Sequence, residues 1–123
     1  GEVKYAELPY YLHGMDVCLL PFRVTPLTLA TNPVKLYEYL AAGVPVVASA
    51  VGQLPPALDH GRLGRLVPPG DAAALTEGLT DLRGNLDERI RLRRAGREAV
   101  LARHTWRALV QRVLAHGDHP RAA

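Results

Sequence analysis

The sequence predicts an α/β fold built on a doubly wound parallel sheet. Three observations carry that expectation. Residues 16–22 (DVCLLPF) and 44–49 (VPVVAS) are nearly continuous apolar runs of strand length, as expected for strands covered on both faces. One helical segment lies between them, opened by Asn32-Pro33 and closed by Gly43. Strand and helix signals then keep alternating along the chain, the pattern of βαβ units with a right-handed crossover.

Taken in order, residues 3–5 read as a short extended segment. Residues 7–13 read as a helix that carries Pro9 early, where proline is tolerated, and stops at Gly14. The first apolar run follows. Residues 23–31 hold three threonines and a proline without a period of either kind, and read as a loop. Asn32 is then expected to cap a helix with Pro33 at its first position. After the second apolar run, residues 52–58 read as a turn and a short helix. Residues 62–67 read as a weaker strand bracketed by Gly61, Gly64 and Pro68-Pro69-Gly70. That makes about four strands. Asp71 is placed to cap a helix reaching about Leu82, and a charged helix follows over 86–104. Trp106, Leu109, Val110 and Val113 recur as one apolar stripe of a last helix. Beyond Gly117 the tail GDHPRAA has no reason to be ordered.

Composition narrows the function. The chain has 123 residues, about one domain, and its 48% apolar content allows a real core. Cys18, the single cysteine, lies inside an apolar run and reads as a buried small hydrophobe; one cysteine makes no internal disulfide. No stretch approaches the ~18 apolar residues of a membrane span, and with no signal peptide in evidence a cytoplasmic setting is expected. The net charge is +3, and nine of thirteen arginines fall between Arg83 and Arg112. Without interleaved aromatics or a binding motif these argue against nucleic acid. They read as a solvated helix face, with peripheral contact to the inner face of an anionic membrane as a further expectation. No two of His13, His60, His104, His116 and His119 have convincing metal-ligand spacing, so no metal site is expected.

The informative stretch is residues 28–49, TLATNPVKLYEYLAAGVPVVAS. A helix N-terminus offers unpaired N–H groups and a partial positive charge, which suit an anion. Lys35 falls in the first turn of the expected helix, where a cation opposes the dipole; a bound phosphate explains it better than helix stability does. Glu38, three residues on, shares its face. A cation for phosphate beside a carboxylate for ribose hydroxyls is the pairing that a nucleotide needs. The plain alternative is a surface pair worth about 0.2–0.5 kcal/mol, and the residues alone leave both open.

PVKLYEYLAAGVPVVAS resembles the signature of the group 1 glycosyltransferases, in the branch that reads P-x-K-x-x-E-Y-L-A-x-G-x-P-V-V. The likeness extends upstream through KYAELPYYLHGMDVCLLPF and downstream through RLVPPGDAAALTEGL, and the Trp106 helix resembles the family's terminal helix. The resemblance implies the partial C-terminal, donor-binding domain of a GT-B enzyme: a Rossmann-like unit in residues 1–104, then an amphipathic helix and disordered tail in 105–123. It implies that Glu38 binds the ribose hydroxyls and Lys35 lies near the diphosphate or sugar. Thr28, Thr31, Asn32 and the helix start would meet the diphosphate, and Arg23, just past a strand end, would touch phosphate or sugar. The donor would be a UDP- or GDP-sugar with no cofactor and no divalent metal. A glycan or lipid acceptor would be held by an N-terminal domain that this chain does not carry, so the chain is expected to be inactive by itself. No catalytic residue is assigned. A non-catalytic nucleotide-binding or regulatory module is the alternative. One position departs from the pattern: many members carry a second glutamate eight residues before Glu38, contacting the donor sugar, and here that residue is Ala30. Sugar choice and stereochemistry therefore do not carry over.

Overall fold

The computed structural model describes residues 1–117. Within them, three strands form one parallel sheet in the order β1 (Cys18–Leu20), β2 (Val46–Ser49), β3 (Arg65–Val67). Cys18 stands opposite Val46 and Leu20 opposite Ala48, while Val47 stands opposite Arg65 and Ser49 opposite Val67. The expected βαβ unit is thus present: β1, then α2 (Pro26–Ala30) and α3 (Val34–Ala41), then β2 beside β1. The other helices are α1 (Leu8–His13), α4 (Leu54–Ala57), α5 (Ala72–Gly84), α6 (Leu86–Arg103) and α7 (Trp106–Gly117). The expected disordered tail, with His119, lies outside the described residues.

Every residue of β2 is buried, as the central strand of a sheet covered on both sides must be. Its side chains alternate. Val46 and Ala48 pack with Leu12, Leu36, Leu40, Leu54, Leu58 and Val100, whereas Val47 packs with Val67, Leu82 and Leu92. Helices α1, α3 and α4 therefore lie on one face and α5 on the other, which is the doubly wound arrangement. Helix α6 serves both, with Leu92 in one layer and Ala99 and Val100 in the other.

Four of the eight arginines of α6 and α7 bond main-chain carbonyls. Arg97 donates to the Ala41 carbonyl at the end of α3. Arg91 donates to the Arg62 carbonyl at 3.0 Å and makes a two-pronged contact with Glu88 at 2.7 Å. Arg89 donates to the Leu82 and Arg83 carbonyls, and Arg112 to the Arg103 carbonyl. Helix C-termini leave carbonyls without partners inside the helix, and guanidinium groups satisfy them here.

Several local expectations are corrected. Residues 3–5 form no strand; Tyr5–Glu7 is a 3₁₀ turn, so the described sheet has three strands rather than four. The expected loop at 23–31 contains α2, opened by a capping box in which the Thr25 hydroxyl accepts from the Thr28 N–H and the Thr28 hydroxyl accepts from the Thr25 N–H. Asn32 does not cap α3. Pro33 holds that position with no side-chain bond, because the Asn32 amide oxygen accepts instead from the Tyr37 hydroxyl at 3.0 Å. Asp71 caps α5 as expected, accepting from the Ala74 N–H at 2.8 Å. No helix among the described residues is long and apolar enough to cross a membrane.

Removing buried surface at the α3–sheet contact should be costly and removing exposed surface should not. Leu36, with no exposed area, should lose about 2–5 kcal/mol on Leu36→Ala. Val34, which is 69% exposed, should lose no more than about 0.5 kcal/mol on Val34→Ala. Urea denaturation of the two variants checks this.

Candidate functional site

The carboxyl edge of a parallel sheet is where its loops converge, and in such folds that edge is the usual ligand side. Here β1 leads into residues 21–25 and α2, β2 into residues 50–53, and β3 into the turn ending at the Asp71 cap. Helix α3 starts at this edge. Its buried stripe, Leu36 and Leu40, faces the sheet. Turning away from that stripe are exposed Lys35 and half-buried Glu38, which belongs to neither core layer.

Among the described residues Lys35 and Glu38 form no ion pair with each other or with any third group. The surface pair that would have explained them by stability alone is not made. Lys35 is the second residue of α3, in the first turn, where N–H groups lack helical partners. Glu38 lines a groove of about 750 Å³ between α3 and the α6–α7 corner, with Asn32, Tyr37, His104, Trp106 and Arg112 among its walls. The Tyr37 and His104 rings lie 4.7 Å apart at a 35° tilt. Burial, with Arg103 and Arg112 nearby, holds the His104 imidazole below its ordinary pKa.

The remaining predicted residues are placed differently. The Thr28 hydroxyl donates to the Arg23 carbonyl at 2.5 Å and the Thr31 hydroxyl to the Leu27 carbonyl at 2.6 Å. Both hydroxyls thus tie down their own segment. Arg23 lines a separate hollow of about 220 Å³ with Phe22, Ser49, Pro68, Asp71 and Leu75, across the strand ends. The structure therefore brings Asn32 and Glu38 into one groove, sets Lys35 beside them on α3, and leaves Arg23 apart. Tyr39 packs against the core, and burial, then Cys18 and Glu38, raises its pKa. Burial also raises the Cys18 thiol, which suits its reading as a hydrophobe. No group of three His, Cys, Asp or Glu able to hold a metal occurs among the described residues. The sequence had pointed to neither His104 nor Arg112 as groove residues. Their only signal was their place where α6 gives way to α7.

A family model described as "Glycosyl transferases group 1" matches residues 1–85. A phosphatidyl-myo-inositol mannosyltransferase of Mycobacterium leprae is 41% identical over 81 residues, covering 66% of this chain and 21% of that protein. A GDP-mannose-dependent alpha-(1-6)-phosphatidylinositol monomannoside mannosyltransferase of Mycobacterium tuberculosis is 28% identical over 115 residues, covering 92% of this chain and 30% of that protein. Among solved structures, a sucrose-phosphate synthase from Thermosynechococcus elongatus superposes with a TM-score of 0.80 at 31% identity, over 95% of this chain and 29% of that one. The chain thus spans between a fifth and a third of the length of these proteins.

The groove carries a pH signature. The folded-state pKa of His104 lies below the unfolded value of about 6.5, so the unfolded chain binds more protons in the window between the two. Stability is then full above about pH 6.5 and falls as pH drops toward the folded pKa. Denaturation across pH 5–8 should show this slope, and His104→Phe, which keeps a ring against Tyr37, should flatten it.

Proposed function

On the premise that the chain belongs to the group 1 glycosyl transferases, as the family match over residues 1–85 shows, we propose that it holds the nucleotide of a sugar donor at the start of α3. The resemblance and the match to a sucrose-phosphate synthase support a Rossmann-like C-terminal domain of the GT-B kind. In this reading the diphosphate sits over the first turn of α3, met by N–H groups and the Lys35 ammonium. The ribose hydroxyls donate to the Glu38 carboxylate at the mouth of the groove. Asn32, Thr31 and Thr28 shape the approach through the backbone, while Arg23 is a secondary contact from the neighbouring hollow.

The observation that carries this is the pair Lys35 and Glu38, one turn apart on α3, Lys35 in its first turn and Glu38 on the groove, and not spent on each other. A surface pair at this spacing is worth only about 0.2–0.5 kcal/mol, so helix stability gives little reason for both charges to stand here. The chemistry follows from the site. Transfer breaks the bond between the anomeric carbon and the diphosphate, and negative charge grows on the leaving group. A fixed ammonium and a helix start stabilise that charge without reorganising, so the reading needs no divalent metal. The donor is a UDP- or GDP-sugar. The acceptor is a glycan or a lipid, held by a part of the protein outside this chain, and two of the similar proteins are named for phosphatidylinositol-based substrates. A cytoplasmic location, with contact to the inner membrane face, belongs to the same proposal.

Two substitutions test it, with binding of UDP and GDP followed by calorimetry beside uridine and guanosine. Glu38→Ala should weaken nucleoside and nucleoside diphosphate alike, by about 1.5–3 kcal/mol for a lost charged hydrogen-bonding partner. Lys35→Ala should weaken the diphosphates far more than the bare nucleosides. Equal losses from Lys35→Ala would reduce Lys35 to a support of the helix, and an unchanged Glu38→Ala would remove the ribose role.

A further inference from the structure

Helix α2 occupies the carboxyl edge with little to hold it there. None of its residues is buried, and Leu27 and Leu29 are 75% and 52% exposed. Its N-terminal end is tied locally by the Thr25–Thr28 capping box and by the Thr28 hydroxyl on the Arg23 carbonyl. The backbone near its other end lies close against the loop after β2. Gly52, at φ +56°, comes so close that a Cβ there would stand 2.5 Å from the Thr28 carbonyl oxygen and 2.8 Å from that of Leu29. Both atoms are backbone, so neither can swing aside as a side chain would. The loops leaving two adjacent parallel strands therefore pass each other at Gly52 with no room for a side chain.

We infer that Gly52 is a positioning residue for the donor diphosphate. It sets the seat of α2 against the loop after β2, and α2 runs directly into Thr31, Asn32 and the first turn of α3. The inference rests on the donor site proposed above and adds to it a residue that touches no part of the ligand. A side chain at Gly52 displaces α2 or its own loop and so moves the backbone that leads to Lys35. Glu38 lies further along α3, where Leu36 and Leu40 anchor the helix in the core, and it stays in place. The diphosphate end of the site is disturbed and the ribose end is not.

The test compares Gly52→Ala, Gly52→Asn and Gly61→Ala. Gly61 also has a left-handed backbone, at φ +100°, but a Cβ there meets nothing within 4 Å. Its variant carries the backbone strain without the collision. Asparagine tolerates the left-handed region yet still bears the Cβ. Both Gly52 variants should bind UDP and GDP more weakly on the order of tenfold or more, the scale of a small misplacement of a bound group, with uridine and guanosine affinities kept. Gly61→Ala should bind all four ligands as the wild type does, and retained nucleoside binding reports that each variant is folded. Recovery of diphosphate affinity in Gly52→Asn would put the effect in backbone strain and overturn the inference. So would unchanged diphosphate binding in Gly52→Ala, or equal losses for nucleosides and diphosphates. Lys35→Ala, measured alongside, separates the two levels. If it weakens diphosphate binding and Gly52→Ala does not, only the positioning role falls. If neither changes it, or if the wild-type chain binds neither diphosphate, the donor site itself falls.

Discussion

Helix α3 is held by two leucines, and the candidate site depends on them. Leu36 and Leu40 are almost fully buried between the sheet and α6. Gly96 makes the second contact tight: a Cβ there would come within 2.8 Å of a Leu40 methyl. With its C-terminal carbonyl also bound by Arg97, α3 has little freedom to turn about its axis. A helix fixed in rotation has fixed outward side chains, since 3.6 residues per turn decides where each one points. The directions of Lys35, Tyr37 and Glu38 are set by leucines buried in the core.

The arginine-rich segment shows how composition alone can mislead. Nine arginines in thirty residues suggest an electrostatic surface. Yet Arg89, Arg91, Arg97 and Arg112 each reach a main-chain carbonyl, and Arg91 also pairs with Glu88. A short chain with many helix ends has many carbonyls to satisfy. Arginine, with five donors on a long stem, satisfies them from a distance while its methylenes cover apolar surface.

Strand β2 was legible because burial on both faces demands an apolar run, interrupted in it only by the buried Ser49; β1 and β3, with exposed Leu19 and Arg65, are covered less completely. The Asp71 cap and the stop at Gly43 were legible because each answers a local backbone need: Asp71 accepts from the Ala74 N–H, and Gly43, just after the α3 cap, takes a left-handed backbone at φ +70°. What escaped was structure whose cause lies in a particular pairing. Helix α2 shows no apolar period because it packs against almost nothing, and its capping box uses Thr28 where glutamate or glutamine is usual. Asn32 was misjudged because Tyr37, five residues on, takes its amide oxygen. For the site, residue types on one helix face suggested Lys35 and Glu38; Lys35 stands in the first turn of α3 and Glu38 one turn on, lining the groove. The groove walls from His104 to Arg112 depend on where α6 ends, which no short window of sequence encodes. Arg23 could be placed after a strand but not on a side of the sheet.

Helix α6 gives Leu92 to one hydrophobic layer and Val100 to the other. Loosening either layer therefore costs the other its anchor, and the two halves of the core cannot open one at a time. Native-state fluctuations should be partitioned accordingly. The slowest amide exchange belongs to β2 and the middle of α6 as one cooperative unit, while α2 and α7, with no buried residues, open on their own at small cost. A domain of this size thereby keeps mobile edges around a centre that unfolds only as a whole.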